Sequence, residues 1–318
     1  MPRQPAFWRS DGSLARVLSP LSAVTAAVTA TRVARPGWRA PVPVLCCGNV
    51  TVGGAGKTTL ALSLGTRLIA DGRAVHFLLR GYGGAIRGPH RVEATDTAAQ
   101  VGDEALLLAA IAPTWVGADR AASARAAIAA GAQLLVMDDG LQNPDLQKDL
   151  SLLVVDGVFG FGNGRVLPAG PLREPVAAAA QRCQAAILIG PDETGIAGSL
   201  RLPVLSARLS PCAEIEPWIG RRALAFAGIA RPEKFFSMLA EAGVIVAGAT
   251  PFPDHHSFRC RDLDRLLAEA ARLDATPLTT PKDAVRLPAV YRDQIGVVGV
   301  SLAWDNPAAL DALVARYG

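Results

Sequence analysis

The feature that most restricts the fold is T-V-G-G-A-G-K-T at positions 51–58, standing between the apolar run Val42–Cys47 and a helix-length segment that opens at Lys57. A glycine-rich turn between a buried strand and a helix start aims several backbone N–H groups at one point, where the helix dipole adds positive potential. Phosphate oxygens bind such a point. In this reading Thr51, Val52, Gly53, Gly54, Ala55 and Gly56 form the cradle, Lys57 places a cation on the β- and γ-phosphates, and the Thr58 hydroxyl can ligate Mg²⁺. The consensus loop opens on glycine where this chain has Thr51, yet the strand–loop–helix setting supports a phosphate-binding loop.

A loop of this kind needs a sheet to hold it, and the chain supplies one. Short apolar runs alternate with helical segments: Val42–Cys47, Lys57–Ala70, Val75–Leu79, Asp103–Ala112, Leu134–Met137, Leu150–Val155 and Ala186–Ile189. Such alternation predicts a mainly parallel sheet with helices on both faces, an α/β three-layer P-loop NTPase domain. A Pro- and Gly-bearing stretch at 190–222 interrupts the pattern. It restarts with Ala223–Ala227, a helix near Pro232–Ala242, Val244–Val246, Asp262–Leu273, Thr276–Thr280, Ile295–Val300 and a last helix near 306–317. With half of the 318 residues hydrophobic and 19% charged, two cores can be buried. The expected division is an N-terminal segment at 1–40, a P-loop domain at 41–207 and a smaller second α/β domain at 208–318.

The basic charge is concentrated in the first segment, where Arg3, Arg9, Arg16, Arg32, Arg35 and Arg39 face only Asp11. The remainder is close to neutral, which argues against a nucleic-acid groove. Leu14, Val17, Leu18, Leu21, Val24 and Val28 recur at helical spacing, with Pro20 among them and Trp8 and Trp38 on the flanks. Two readings stand: an interfacial helix on an anionic membrane, or a helix packed on its own domain. The fifteen uncharged residues between Arg16 and Arg32 fall short of the ~20 needed to cross a bilayer. A signal sequence has a similar form, but the nucleotide-binding sequence that follows is of use only where ATP is present. Cys46, Cys47, Cys183, Cys212 and Cys260 lack metal-site spacing and disulfide density, which fits a reducing compartment and a core role for the adjacent pair.

Leu134–Met137 runs into Asp138-Asp139-Gly140, a carboxylate pair at a strand end of the kind that holds Mg²⁺ or its water shell. Two adjacent carboxylates on a buried strand repel unless a cation compensates, so both are candidates. Guanine-selective loops carry N-K-x-D, and the nearest approach here is Thr280-Pro281-Lys282-Asp283, so ATP is the expected nucleotide. Partition-type ATPases carry an additional lysine where Val52 stands. A kinase also requires a group to take the acceptor's proton. His76 and His90 read as structural, whereas Asp254-His255-His256 lies in a Pro-bounded loop and Asp103-Glu104 opens a helix.

Seven ordered blocks resemble the tetraacyldisaccharide 4′-kinase family, the lipid A 4′-kinases of Gram-negative bacteria. They are G-N-V-T-V-G-G-A-G-K-T (48–58), R-G-Y-G-G (80–84), V-G-D-E-A (101–105), M-D-D-G-L-Q-N (137–143), G-N-G-R-V-L-P-A-G-P-L-R-E-P (162–175), F-P-D-H-H-S-F (252–258) and T-P-K-D-A-V-R-L (280–287). Thr51 is what that family has at the first loop position, while Pro281 stands where it usually has Glu. The resemblance implies transfer of the ATP γ-phosphate to the 4′-hydroxyl of a tetraacylated disaccharide 1-phosphate by a peripheral enzyme on the cytoplasmic face of the inner membrane. It implies Asp103 and His255 as a pair that deprotonates the hydroxyl, and Arg80 and Arg173 as phosphate or substrate contacts. The expected partners are that lipid and an anionic membrane surface, with no nucleic acid and no obligate protein partner. The competing class is a membrane-associated P-loop ATPase that acts as a nucleotide switch, which would need no acid–base pair.

Overall fold

The structure, a computed structural model, describes residues 5–317, so Arg3 lies outside the described residues. Among the described residues thirteen strands form two sheets: β1 Val44–Gly48, β2 Val75–Leu79, β3 His90–Arg91, β4 Thr114–Val116, β5 Leu134–Asp138, β6 Leu150–Asp156, β7 Ala185–Ile189, β8 Val204–Pro211, β9 Arg222–Ala227, β10 Ile245–Pro251, β11 Thr276–Thr279, β12 Gly296–Val297 and β13 Val300–Trp304. The large sheet has the order β13-β8-β7-β6-β1-β5-β2-β4-β3, and the small one β10-β9-β11-β12. Within the large sheet β8, β7, β6, β1, β5, β2 and β4 are parallel, while β3 and β13 close its two edges antiparallel. The small sheet is parallel throughout. An α/β fold with a mainly parallel P-loop sheet and a second, smaller sheet is what the alternation predicts.

Strands β1, β2, β5, β6 and β7 are buried along their whole length, which explains their near-continuous apolar sequences. One face of the large sheet packs on the helix Lys57–Ala70 (α2) and the other on residues such as Leu141, Leu146 and Ala179. The chain leaves β1 toward β2 on one side and later reaches β6 on the other, so a crevice opens at the carboxyl ends of β1 and β5. Ligand sites form at such switch points.

Sheet membership departs from the expected division at 207/208. The expected strand Ile295–Val300 is two strands: β12 pairs with β11 in the small sheet, while β13 crosses back and pairs antiparallel with β8. Leu302 and Leu310, from the chain end, are buried against α2 in the core of the large sheet. Without β13, β8 would be an open edge with unpaired backbone groups. The small sheet is therefore an insertion between β8 and β13. Several short or weakly patterned elements escape the sequence reading, β3 and the helix Val176–Ala180 among them. β8 lies between Pro203 and Pro211 in what reads as a linker, β4 has three residues, and the helix Arg120–Ala129 is too alanine-rich to show a stripe.

The N-terminal helix Ser13–Val33 (α1) is oriented the opposite way from an ordinary surface helix. Val17, Leu21, Val24 and Val28 are more than half exposed, whereas Ala15, Ser22 and Thr29 are buried. The Ser22 hydroxyl donates to the Val166 carbonyl at 2.7 Å and accepts from the Ala169 N–H at 3.2 Å, so the polar face is the docked one. Trp8 Nε1 adds a bond to the Pro168 carbonyl at 3.2 Å, and Arg165 pairs with Asp11 at 2.7 Å. With 21 residues, α1 is long and apolar enough to cross a membrane by length and composition, beyond the fifteen uncharged residues the sequence reading counted.

Candidate active site

Gly56 is where the loop must have glycine. Its φ of 91° lies in the left-handed region, and a Cβ there would come within 2.6 Å of the Ile189 side chain. Ala55 is buried beneath the turn and Lys57 begins α2. The loop is also stitched to a second segment: Val52 N donates to the Pro171 carbonyl (2.8 Å) and Arg173 N to the Val50 carbonyl (2.6 Å), with Thr51 bridged to Leu172. The loop 163–170 that seats α1 runs directly into this segment.

Asp138 and Asp139 have different surroundings. Thr58 Oγ1 donates to Asp138 Oδ2 at 2.7 Å, while Asp138 Oδ1 is buried with no hydrogen-bond partner. Burial raises the Asp138 carboxyl, and Lys57 and Thr58 only partly oppose it. Asp139, at φ 57°, turns out of the strand to meet Lys57 Nζ at 3.8 Å and Arg173 at 2.7 Å. Burial would raise Asp139 too, but those two cations reverse the effect and lower it. Arg80 is exposed, and its charge acts on the buried Arg120, on which Asp138 and Asp139 act too.

The spacing-based reading did not single out the second layer behind these residues. Gln142 accepts from Arg173 (3.3 Å) and donates to Glu174 (2.8 Å) and to the Asn49 carbonyl (2.9 Å). Buried Glu174 accepts through both carboxylate oxygens from one nitrogen, Arg182 Nη2. Asn49, Gln142 and Glu174 lie within quoted sequence blocks and Arg182 does not, and only the folded chain shows that they form one chain of contacts.

Asp103, the first residue of the helix Asp103–Ala109, and His255, on the small-sheet side, are brought together across 152 positions. His255 Nδ1 lies 3.0 Å from Asp103 Oδ2. Burial acts to raise Asp103, but the hydrogen bond from His255, a bond from Glu104 and the Lys282 charge outweigh it and hold the carboxyl well below the ordinary range. His255 is raised in turn by its bond to Asp103, against a smaller effect of burial. Glu104 is raised mainly by burial and accepts from Lys282 Nζ at 2.6 Å. Asp103, Glu104 and His255 offer ligand atoms within 4.8 Å of one another, a spacing that suits a cation, and the Lys282 ammonium is the charge that answers it here. Lys282 also pulls on Asp138, so the proton-handling and phosphate-binding halves feel a common charge.

The remaining candidates are structural. His76 is buried, accepts from Trp115 Nε1 at 3.3 Å and is lowered by burial, and His90 pairs with Asp96 at 2.7 Å. Burial pushes the Cys46 thiol up to about 11 and raises Cys47 as well, which suits core packing.

A phosphate loop alone would serve an ATPase or a switch equally well. Joined to a buried aspartate and a partly exposed histidine at the same end of the sheet, it defines a P-loop kinase, which hands phosphate to an acceptor hydroxyl. Residues 14–317 match the model of the tetraacyldisaccharide-1-P 4′-kinase family, and the chain belongs to that family of lipid A biosynthesis. It is 58% identical over 315 residues to the tetraacyldisaccharide 4′-kinase of Gluconacetobacter diazotrophicus, covering 98% of this chain and 96% of that one. With the Rhodospirillum centenum protein of the same description it shares 54% over 327 residues, covering 98% and 96%. A solved structure of Aquifex aeolicus LpxK in complex with ATP has the same fold, with a TM-score of 0.75 at 24% identity over 96% of this chain and 99% of that chain.

Proposed function

We propose that this kinase transfers the γ-phosphate of ATP to the 4′-hydroxyl of tetraacyldisaccharide 1-phosphate with Asp103 and His255 as its proton-handling pair, on an anionic membrane surface. The 3.0 Å contact between those two residues carries the reading. A carboxylate can only accept, so Asp103 holds the proton on His255 Nδ1 and leaves Nε2 as the ring atom that can take a proton from the hydroxyl. Asp103 then stabilises the imidazolium, as its buried negative charge is suited to do.

Lys57 and the amides of residues 53–56 hold the phosphates, and Arg173, positioned by Asp139 and Gln142, adds a planar donor at the loop's edge. Thr58, Asp138 and Asp139 would hold Mg²⁺. The orphaned Asp138 Oδ1 is the kind of buried acceptor that a hard cation satisfies, and the ion would supply charge neutralisation on the phosphate oxygens.

The inverted orientation of α1 supports the membrane reading over packing on its own domain. Its valines and leucines face outward while Arg9, Arg16, Arg32 and Arg35 are available to anionic headgroups. On this reading the enzyme is peripheral, at the cytoplasmic face of the inner membrane, and the acceptor lipid arrives beside the loop that α1 rests on.

The test is ATP turnover by the purified protein with and without the disaccharide lipid. Turnover should require the lipid, and Val17→Asp with Val24→Asp should reduce use of vesicle-borne acceptor while sparing detergent-dispersed acceptor. Lipid-independent turnover would return the chain to the nucleotide-switch class. Equal use of vesicle-borne lipid by both proteins would remove α1 from the membrane.

A further inference from the structure

His255 occupies a conformation that a non-glycine residue rarely adopts, with φ at 57°. Such a residue persists only where its surroundings over-determine it. The side chain that does so is Arg286, which is nearly buried at 7% exposure. Its Nη1 donates to the His256 carbonyl at 3.2 Å, and its Nη2 donates to the Gly228 carbonyl at 3.0 Å and to Asp283 Oδ1 at 2.8 Å. The same Gly228 carbonyl accepts from the His255 N–H at 3.0 Å, and Gly228 N–H donates to Asp283 Oδ1 at 2.9 Å. One guanidinium therefore holds the His256 carbonyl directly and, through the shared Gly228 carbonyl, the N–H of His255 itself. Its Nε also lies 3.9 Å from Asp103 Oδ2, the atom that His255 meets.

We infer that Arg286 is a positioning residue which clamps the His255 backbone in its left-handed turn and so holds the imidazole on Asp103. The inference rests on the proposed role of the Asp103–His255 pair and adds what sets its geometry. A planar fork with five donors is required, because the His256 and Gly228 carbonyls and the Asp283 carboxylate must be met at fixed angles while Nε donates to the Lys282 carbonyl at 2.9 Å. Lysine at this position would keep the charge and the Asp283 contact but could not reach both carbonyls in line. Asp283, itself fully buried, orients the fork, and Thr280 Oγ1 holds Asp283 at 2.6 Å.

The experiment compares Arg286→Lys and Arg286→Met in full-length protein, each also combined with His255→Ala. Two readouts are taken: kcat at saturating ATP and lipid, and the titration of the His255 ring by NMR without substrates. Both variants should lower kcat, on the order of tenfold for Arg286→Lys and more for Arg286→Met, with KM for ATP changed less than about twofold. In the His255→Ala background either change should cost almost nothing further. The His255 ring, raised by Asp103, should titrate closer to an ordinary histidine. An unchanged titration in Arg286→Lys, or effects that multiply with His255→Ala, would overturn the clamp. Should Arg286→Met fail to fold, Arg286→Lys still decides. Full activity of His255→Ala, together with a shifted His255 titration in Arg286→Lys, would leave the clamp standing and remove the acid–base role instead.

Discussion

Lys57 and His255 face the same charge cluster, yet they are held there by different means. Lys57 is the first residue of a fourteen-residue helix that packs on a strand buried along its length, and the loop before it is pinned by two backbone bonds to residues 171–173. His255 has no regular element beneath it. Its place depends on the Arg286 fork, the Gly228 carbonyl and the Asp103 carboxylate, three groups from three distant segments. The first half resists single changes because the sheet carries it, whereas the second can be lost through one side chain. Sheet-borne sites tolerate neighbours changing, and clasped loops do not.

The sharpest way to break the comparison is at the pair itself. Asp103→Ala and His255→Ala should each lower kcat by ~10²–10⁴-fold, and the double variant should be little slower than the worse single one. Steady-state kinetics at saturating ATP and lipid measures this, and nucleotide affinity should survive in all three proteins. Fully multiplicative losses would mean that the two residues act independently.

On the sheet-borne side, Lys57→Ala and Thr58→Ala should each cost about 10²-fold or more in kcat, because both act on charge that develops during transfer. Here, by contrast, thermal stability should remain within about 1 kcal/mol of the parent, since the loop is held by backbone contacts rather than by these side chains. A large fall in the melting temperature of Lys57→Ala would contradict a self-supporting loop.

The smallest effect is in the pH dependence of stability. His255 is raised in the folded state, so its contribution is complete below the ordinary histidine value near 6.5 and is lost as pH rises through the raised value. Asp103 is lowered, so its contribution is present above the ordinary value near 4 and is lost only as pH falls toward the lowered one. The stability difference between the parent and His255→Gln should thus be greatest between about pH 5 and 6.5 and shrink toward pH 9. Its size should be on the order of 1 kcal/mol, given the partial exposure of the ring. Melting curves across that range measure it, and a difference that grows with pH would reverse the assigned shifts.

Much of the phosphate half was legible beforehand because it is written in contiguous residues. The spacing around Lys57 specifies a strand, a turn and a helix in a row, and α2 begins and ends where the sequence reading put it. Asp138 and Asp139 were legible for the same reason, as carboxylates at the end of an apolar run. Helical spacing likewise placed the apolar stripe of α1, but periodicity gives a face and not its direction. Only the burial of Ser22 and Thr29 shows that the stripe points outward. Arg286 had no signal beyond its place in a shared block, because a side chain that grips two carbonyls leaves no period in the sequence.

The return of the chain end to the large sheet was equally hidden. Ile295–Val300 reads as one strand, and its division between β12 and β13 follows from β8 having an edge to cover, a need that exists only once the sheet is assembled. The parallel α/β core, the phosphate loop and the carboxylates at its strand end can be read from the sequence alone, since local backbone geometry and alternating burial are properties of neighbouring residues. The tertiary structure alone decided that His255 meets Asp103, that Arg286 holds it there, and that α1 turns its apolar face outward. Each of those depends on contacts between segments 30 to 152 residues apart or on which surface remains after the core has closed.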